Sequence, residues 1–244
     1  MKSIKTLALV TGLLALSGVS QAQFSSTWTA VSDYDFRGYS QSGKDPALQG
    51  SADYAFGESG FAVGAWASNV DFSNPGSPID ADIELDLYGG YTGKINDTFS
   101  WTAGFVDYTY PSSDDVRDFV EVYAGLTAGN FGFKQWYADK YFGGSSSALY
   151  SEANYTQPIG DKFSLAFHAG YAWGDYWDDF GDATDEDGAL IDYAVQANYT
   201  AGNFTLFAKF TGTDASGGQK ETRDGNNNEA RVLVGVMTTF PWGD

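Results

Sequence analysis

From about residue 26 onward the chain repeats one pattern, in which apolar and polar side chains alternate every second residue in runs of about ten to thirteen residues. In residues 46–56, Leu48, Ala52, Tyr54 and Phe56 fall on one side and Gln49, Ser51 and Asp53 on the other. In residues 163–173, Phe163, Leu165, Phe167, Ala169 and Tyr171 oppose Ser164, His168 and Gly170. A side chain flips face at every residue only in an extended strand, so each run reads as a strand with one apolar and one hydrophilic face.

About twelve such runs follow one another, at 26–37, 46–56, 60–71, 82–93, 98–110, 118–128, 131–142, 148–158, 162–173, 190–201, 203–213 and 229–240. They exceed the five or six residues usual in soluble sheets and match the roughly nine to eleven that cross a bilayer at a tilt. Their links alternate in length. Tight ones fall at 57–59, 94–97, 129–130, 159–161 and 202, and longer polar ones at 38–45, 72–81, 111–117, 143–147, 174–189 and 214–228. Short turns at one rim and longer loops at the other belong to an up-and-down barrel. The predicted fold is therefore all-β, a transmembrane antiparallel barrel of about 12 strands. In runs 60–71 and 98–110 the apolar face switches midway, and in 131–142 Lys134, Trp136 and Lys140 share one side, which predicts bulges there. Thr127-Ala128-Gly129-Asn130-Phe131 recurs as Thr200-Ala201-Gly202-Asn203-Phe204, both at tight links, as expected of a repeated hairpin.

The first 22 residues read as an export signal: Lys2 and Lys5, an apolar stretch from Leu7 to Leu16, and Ser20-Gln21-Ala22 before the expected cleavage point. The barrel domain would then occupy 23–244. The sequence has 0 Cys, which excludes thiol chemistry, and 32 acidic against 13 basic residues, for a net charge of −19. Such a surface repels nucleic acid. Aromatic residues make up 17% of the chain, unlike a disordered acidic polymer.

The N-terminal motifs resemble a known family. Ser32-Asp33-Tyr34-Asp35-Phe36-Arg37-Gly38 with Ser40-Gln41, Pro46-Ala47-Leu48-Gln49-Gly50, Gly60-Phe61 with Trp66, Ser68-Asn69-Val70-Asp71-Phe72, and Glu84, Asp86 and Tyr88-Gly89-Gly90-Tyr91 are similar to the TorF family of proteobacterial porin-like proteins. The resemblance implies a barrel, an outer-membrane location and a channel role, and brings no catalytic residues. The C-terminal Gly235, Thr238 and Phe240 resemble the signal read by the barrel-assembly machinery, although the chain runs four residues past Phe240 and Leu233 replaces a usual polar residue.

In a barrel the hydrophilic face lines the lumen. It carries Asp33, Asp35, Asp53, Glu84, Asp86, Glu121, Glu152 and Asp192, opposed by Arg37, Lys209 and Arg231, with His168 also pointing inward. Two readings follow: a cation-favouring pathway, or an interior closed by pairing of these groups with one another and with tyrosines. In the first, Asp33 and Asp35 near the outer mouth, with Arg37 ending the run, would bias selectivity. The sequence points to no catalytic residue, cofactor or protein-bound metal. The acidic segment 175–187 is either a solvated loop or a carboxylate collector for Ca²⁺ that lacks EF-hand spacing. Trp28, Trp101, Trp136, Trp173, Trp177 and Trp242 sit near strand ends, as interfacial girdles require, and Trp66 is mid-strand. The expected function is a channel for small solutes, cationic ones on the first of the two lumen readings, in contact with outer-membrane lipid. The alternatives are a non-conducting surface or adhesion barrel, and an exported soluble sandwich that binds carbohydrate.

On this reading the protein fractionates with the outer membrane, resists carbonate extraction, and begins at Gln23 by mass spectrometry. Recovery from the soluble periplasm would contradict it.

Overall fold

The computed structural model describes residues 23–72, 81–111, 113, 118–178, 188–215 and 228–242. The expected leader lies outside these residues, as does most of the acidic segment, 179–187.

The strands are β1 (Gln23–Val31), β2 (Asp35–Phe36), β3 (Tyr39–Ser40), β4 (Ala47–Ala55), β5 (Phe61–Asn69), β6 (Ile83–Lys94), β7 (Phe99–Thr109), β8 (Phe119–Ala128), β9 (Phe131–Ala138), β10 (Ala148–Ile159), β11 (Phe163–Trp173), β12 (Leu190–Ala201), β13 (Phe204–Thr213) and β14 (Arg231–Phe240). All but β2 and β3 form one closed antiparallel barrel in which each strand pairs with its sequence neighbours. Closure comes from β1 against β14, with Ser26 opposite Phe240 and Val31 opposite Gly235. β2 and β3 pair only with each other. The repeated Thr-Ala-Gly-Asn-Phe segments form the turns after β8 and β12.

The pleat sorts the side chains. Leu48, Phe61, Leu87, Val122, Phe167, Val195, Leu206 and Val234 are exposed on the outside, the apolar coat of a transmembrane barrel. Phe56, Phe61, Phe99, Trp101, Phe163 and Trp242 crowd the turn rim, where an aromatic girdle meets the interface. Trp28 and Trp173 also face out, but Trp136 and Trp177 are 5% and 4% exposed: Trp136 lies inside the barrel, and Trp177, in a short helical turn at 175–178, joins the buried core near Tyr141. They are not girdle residues, contrary to the expectation from their position along the strands.

The anticipated bulges are absent from the paired residues: β4–β5, β6–β7 and β8–β9 hold one continuous register throughout. The apparent face switches have another cause. Toward the loop rim the inside is filled by Val106, Tyr108, Phe119, Trp136 and Tyr150, while Asp107 points out. Apolar groups therefore change side where the lipid coat ends and an internal core begins. The first run is also shorter than expected, because β1 stops at Val31 and residues 32–46 turn inward.

The face assignment is testable on two neighbours of β12. Val195→Arg places a charge in lipid near mid-strand and is expected to cost about 2–4 kcal/mol of stability in vesicles, whereas Gln196→Arg, facing the interior, costs much less. Urea unfolding in lipid measures both, and equal losses would mean the pleat is reversed.

Candidate functional site

The segment after β1 forms a small hairpin, β2 and β3, turned at Arg37 and Gly38, whose φ angles are 50° and 83°. A side chain at Gly38 would place its Cβ 2.3 Å from Thr213 Cγ2, so only glycine passes the wall there. The sequence alternation runs through this segment unbroken, which is why it reads as a strand extension.

Charged groups hold the hairpin at both sides of the lumen. Arg231 of β14 donates from Nε to Asp33 Oδ2 (2.5 Å), from Nη2 to Asp35 Oδ1 (2.6 Å) and from Nη1 to the Gly38 carbonyl (2.8 Å). Lys209 of β13 donates to Asp35 Oδ2 at 2.6 Å. Ser40 Oγ donates to Asp33 Oδ1 at 2.5 Å. On the facing wall Arg37 makes a two-pronged contact with Glu121 of β8, at 2.9 and 2.7 Å, and its guanidinium lies 4.0 Å from the Tyr150 ring centroid. Tyr108 Oη also donates to Glu121 (3.0 Å). In the strand order β8 lies across the barrel from β14 and β13, so the hairpin bridges the lumen.

A second network lies beside it. Tyr150 Oη donates to Asp192 Oδ2 (2.9 Å) by crossing Gly170, where a Cβ would come within 2.1 Å of Tyr150 Oη. Asn154 donates to Glu152 Oε2 (3.0 Å), which turns its Oδ1 toward His168 Nδ1 at 2.7 Å, while His168 Nε2 meets Asp192 Oδ1 at 2.9 Å. His168 Nε2 also lies 2.9 Å from Tyr150 Oη, so the ring is tied both to Asn154 and to the Tyr150–Asp192 pair. Trp136 Nε1 donates to Glu152 Oε1 (2.9 Å). Lys134 stands opposite Glu152 in the β9–β10 register and 5.2 Å from the ring centroids of Tyr123 and Trp136.

All twelve residues named from the sequence as lining the interior lie inside the barrel, but three of them, Asp33, Asp35 and Arg37, sit on the inward segment rather than on a wall strand. Asp53 accepts from Tyr88 and Ser51, Glu84 from Tyr34 (3.2 Å), and Asp86 Oδ1 has no hydrogen-bond partner. Among the described residues, no cation lies within ion-pair distance of these last three. Sequence reasoning missed Lys134 and the inner aromatic residues Tyr34, Tyr108, Trp136 and Tyr150. The face switch in run 98–110 was the signal for Tyr108, and the shared side of Lys134 and Trp136 in run 131–142 was the signal for those two.

Below the hairpin is a cavity of about 120 Å³, bordered by Thr29, Gln49, Trp66, Asp86, Gln196 and Met237 among others. Toward the turn rim the interior opens. Along β6 the inward residues pass from buried Glu84 and Asp86 through half-buried Tyr88 and Gly90 to exposed Thr92. Along β8 they pass from buried Phe119, Glu121 and Tyr123 to exposed Thr127. The lumen is a vestibule closed at the loop end.

A model of a bacterial protein family of unknown function, Gcw_chp, matches residues 15–240. The chain belongs to this family. No curated protein matches it. Solved structures resemble the Gcw_chp barrel in fold. A KdgM porin aligns with a TM-score of 0.54 at 12% identity, covering 88% of this chain and 99% of its own, and KdgM has also been solved in complex with disordered oligogalacturonate. A NanC porin aligns at 0.55 with 11% identity, over 89% of this chain and 98% of its own. An outer-membrane channel from Pseudomonas putida F1 aligns at 0.51 with 12% identity, over 92% and 96%.

Removing Arg231 leaves buried Asp33 without its cation and Asp35 with Lys209 alone. Arg231→Ala is expected to lose about 3 kcal/mol or more and to expose residues 35–45 to protease, whereas Lys44→Ala, which breaks the exposed Lys44–Glu229 pair, changes stability by less than about 1 kcal/mol. Denaturant unfolding with limited proteolysis in detergent reads both effects.

Proposed function

We propose that this protein is an outer-membrane channel for small solutes, held shut at its outer end by its own first loop. The observation that carries the reading is the closed twelve-strand barrel whose outside is apolar and whose inside is open at one end and carries charged groups. Binding energy in this interior is directed at polar solutes, and no reaction is assigned to it. The N-terminal resemblance to the TorF family and the fold shared with KdgM and NanC support the same reading. The expected leader supplies the export route, and β14, ending at Phe240, is the strand offered to the assembly machinery.

The solute class follows from charge. Asp33, Asp35, Asp53, Glu84, Asp86, Glu121, Glu152 and Asp192 outnumber Arg37, Lys134, Lys209 and Arg231, even with His168 added. An acidic oligosaccharide such as KdgM has been solved with would be repelled, and cationic or neutral solutes fit better. Asp33 and Asp35 are compensated by Arg231 and Lys209, so the carboxylates without an ion-pair partner among the described residues are Asp53, Glu84 and Asp86. The bridging hairpin favours a second reading, a non-conducting barrel serving as a surface or structural protein.

Planar-bilayer recording separates the two. The unmodified protein is expected to open briefly, and Arg37→Ala combined with Arg231→Ala to raise conductance or open time several-fold. In a salt gradient at low ionic strength, where the Debye length is about 10 Å at 0.1 M, the reversal potential should show cation preference. Silence of both proteins after repeated incorporation would favour the non-conducting barrel, and anion preference would overturn the acidic-lumen account.

A further inference from the structure

Asp86 is 8% exposed, and its Oδ1 has no hydrogen-bond partner while the side chain borders the internal cavity. Among the described residues no cation lies within ion-pair distance of it, and its neighbours show why. In the ladder it stands between Trp66 of β5 and Tyr108 of β7, both directly opposite and on the same inner face. The hairpin segment lays two more rings over these: Tyr34 against Trp66, with centroids 5.3 Å apart, and Phe36 against Tyr108, at 6.0 Å. Among the described residues the interior cations lie elsewhere: Arg37 pairs with Glu121, both Arg231 and Lys209 with Asp35, and Lys134 stands opposite Glu152. Glu84, two residues along the same strand, adds a second carboxylate and accepts from Tyr34 Oη.

One buried carboxylate ringed by aromatic faces beside an open cavity is the chemistry that receives an alkylammonium group, whose charge pairs with the carboxylate while its methyl or methylene surface packs on the rings. A hard divalent ion needs about six oxygen ligands, and among the described residues there is no group of three metal-ligating side chains. A water molecule would give Asp86 a hydrogen bond but would leave the ring faces around it uncovered. We propose that Asp86, with Trp66, Tyr108, Tyr34 and Phe36, forms a binding site for a small organic cation of the primary-amine to quaternary-ammonium class. It deepens the channel reading and rests on its polar interior, not on conduction.

The test is titration calorimetry of the folded barrel in detergent with choline chloride and tetramethylammonium chloride, against sodium chloride at equal ionic strength. Saturable binding of an ammonium probe is expected, weakened at least tenfold by Asp86→Asn and unchanged by Asp107→Asn, whose carboxylate points outward from the neighbouring strand. Should Asp86→Asn fail to fold, Trp66→Leu keeps an apolar side chain, removes the ring face and is expected to weaken binding several-fold. The proposal is overturned if the folded unmodified protein binds neither probe, in which case Glu84 and Asp86 share a proton instead. It is equally overturned if Asp86→Asn binds as well as the unmodified protein, or if sodium competes at equal concentration. A barrel that binds choline yet stays silent in bilayers refutes the channel reading alone, and one that conducts without binding refutes this site alone.

Discussion

Inside a hydrocarbon layer an unpaired backbone N–H or C=O has no water to bond, and each costs several kcal/mol, so a sheet in lipid must have no edge. The pairing of β1 with β14 meets that requirement, and the other features follow from it. Closure gives every strand one face toward lipid and one toward the lumen. That is why Leu, Val and Phe occupy alternate positions around the circumference and polar groups occupy the rest. A termini-to-termini strand pair also brings Arg231 beside the segment that follows β1, where it meets Asp33 and Asp35.

Closure also creates an interior that must be filled or hydrated, and this barrel does both at different heights. At the turn rim small side chains leave the vestibule open. At the loop rim the hairpin carries Asp33, Asp35 and Arg37 inward, and the wall supplies Arg231, Lys209 and Glu121 to match them. Neither set is stable buried alone, because a desolvated charge without its partner is strongly unfavourable. Hairpin and wall therefore hold each other in place, and the aromatic residues Tyr108, Phe119, Tyr141 and Tyr150 exclude water from the ion pairs they surround.

The strands were legible because their signal is local. Periods of two residues, tight Gly-containing turns and alternating link lengths each lie within a short stretch, and eleven of the twelve wall strands fall within a few residues of where the pattern puts them. The exception is instructive. Residues 32–37 keep the alternation of β1, but the fold uses it to point Asp33 and Asp35 at Arg231 rather than to extend the wall. Trp136 was misread for a related reason: a tryptophan near a strand end looks the same in sequence whether it meets lipid or an internal Glu152.

The sequence by itself determined a twelve-strand barrel, the sorting of its two faces and the acidic excess of its interior, since all three depend on which residue types recur at a fixed spacing along one chain. Only the tertiary structure decided that the first loop crosses the lumen, which carboxylates are matched and which are not, and where aromatic residues turn inward. Those outcomes depend on barrel curvature, which places Arg37 against Glu121 although they are 84 residues apart and leaves Asp86 among rings with no ion-pair partner among the described residues. Periodicity along a strand carries no record of what stands on the opposite wall.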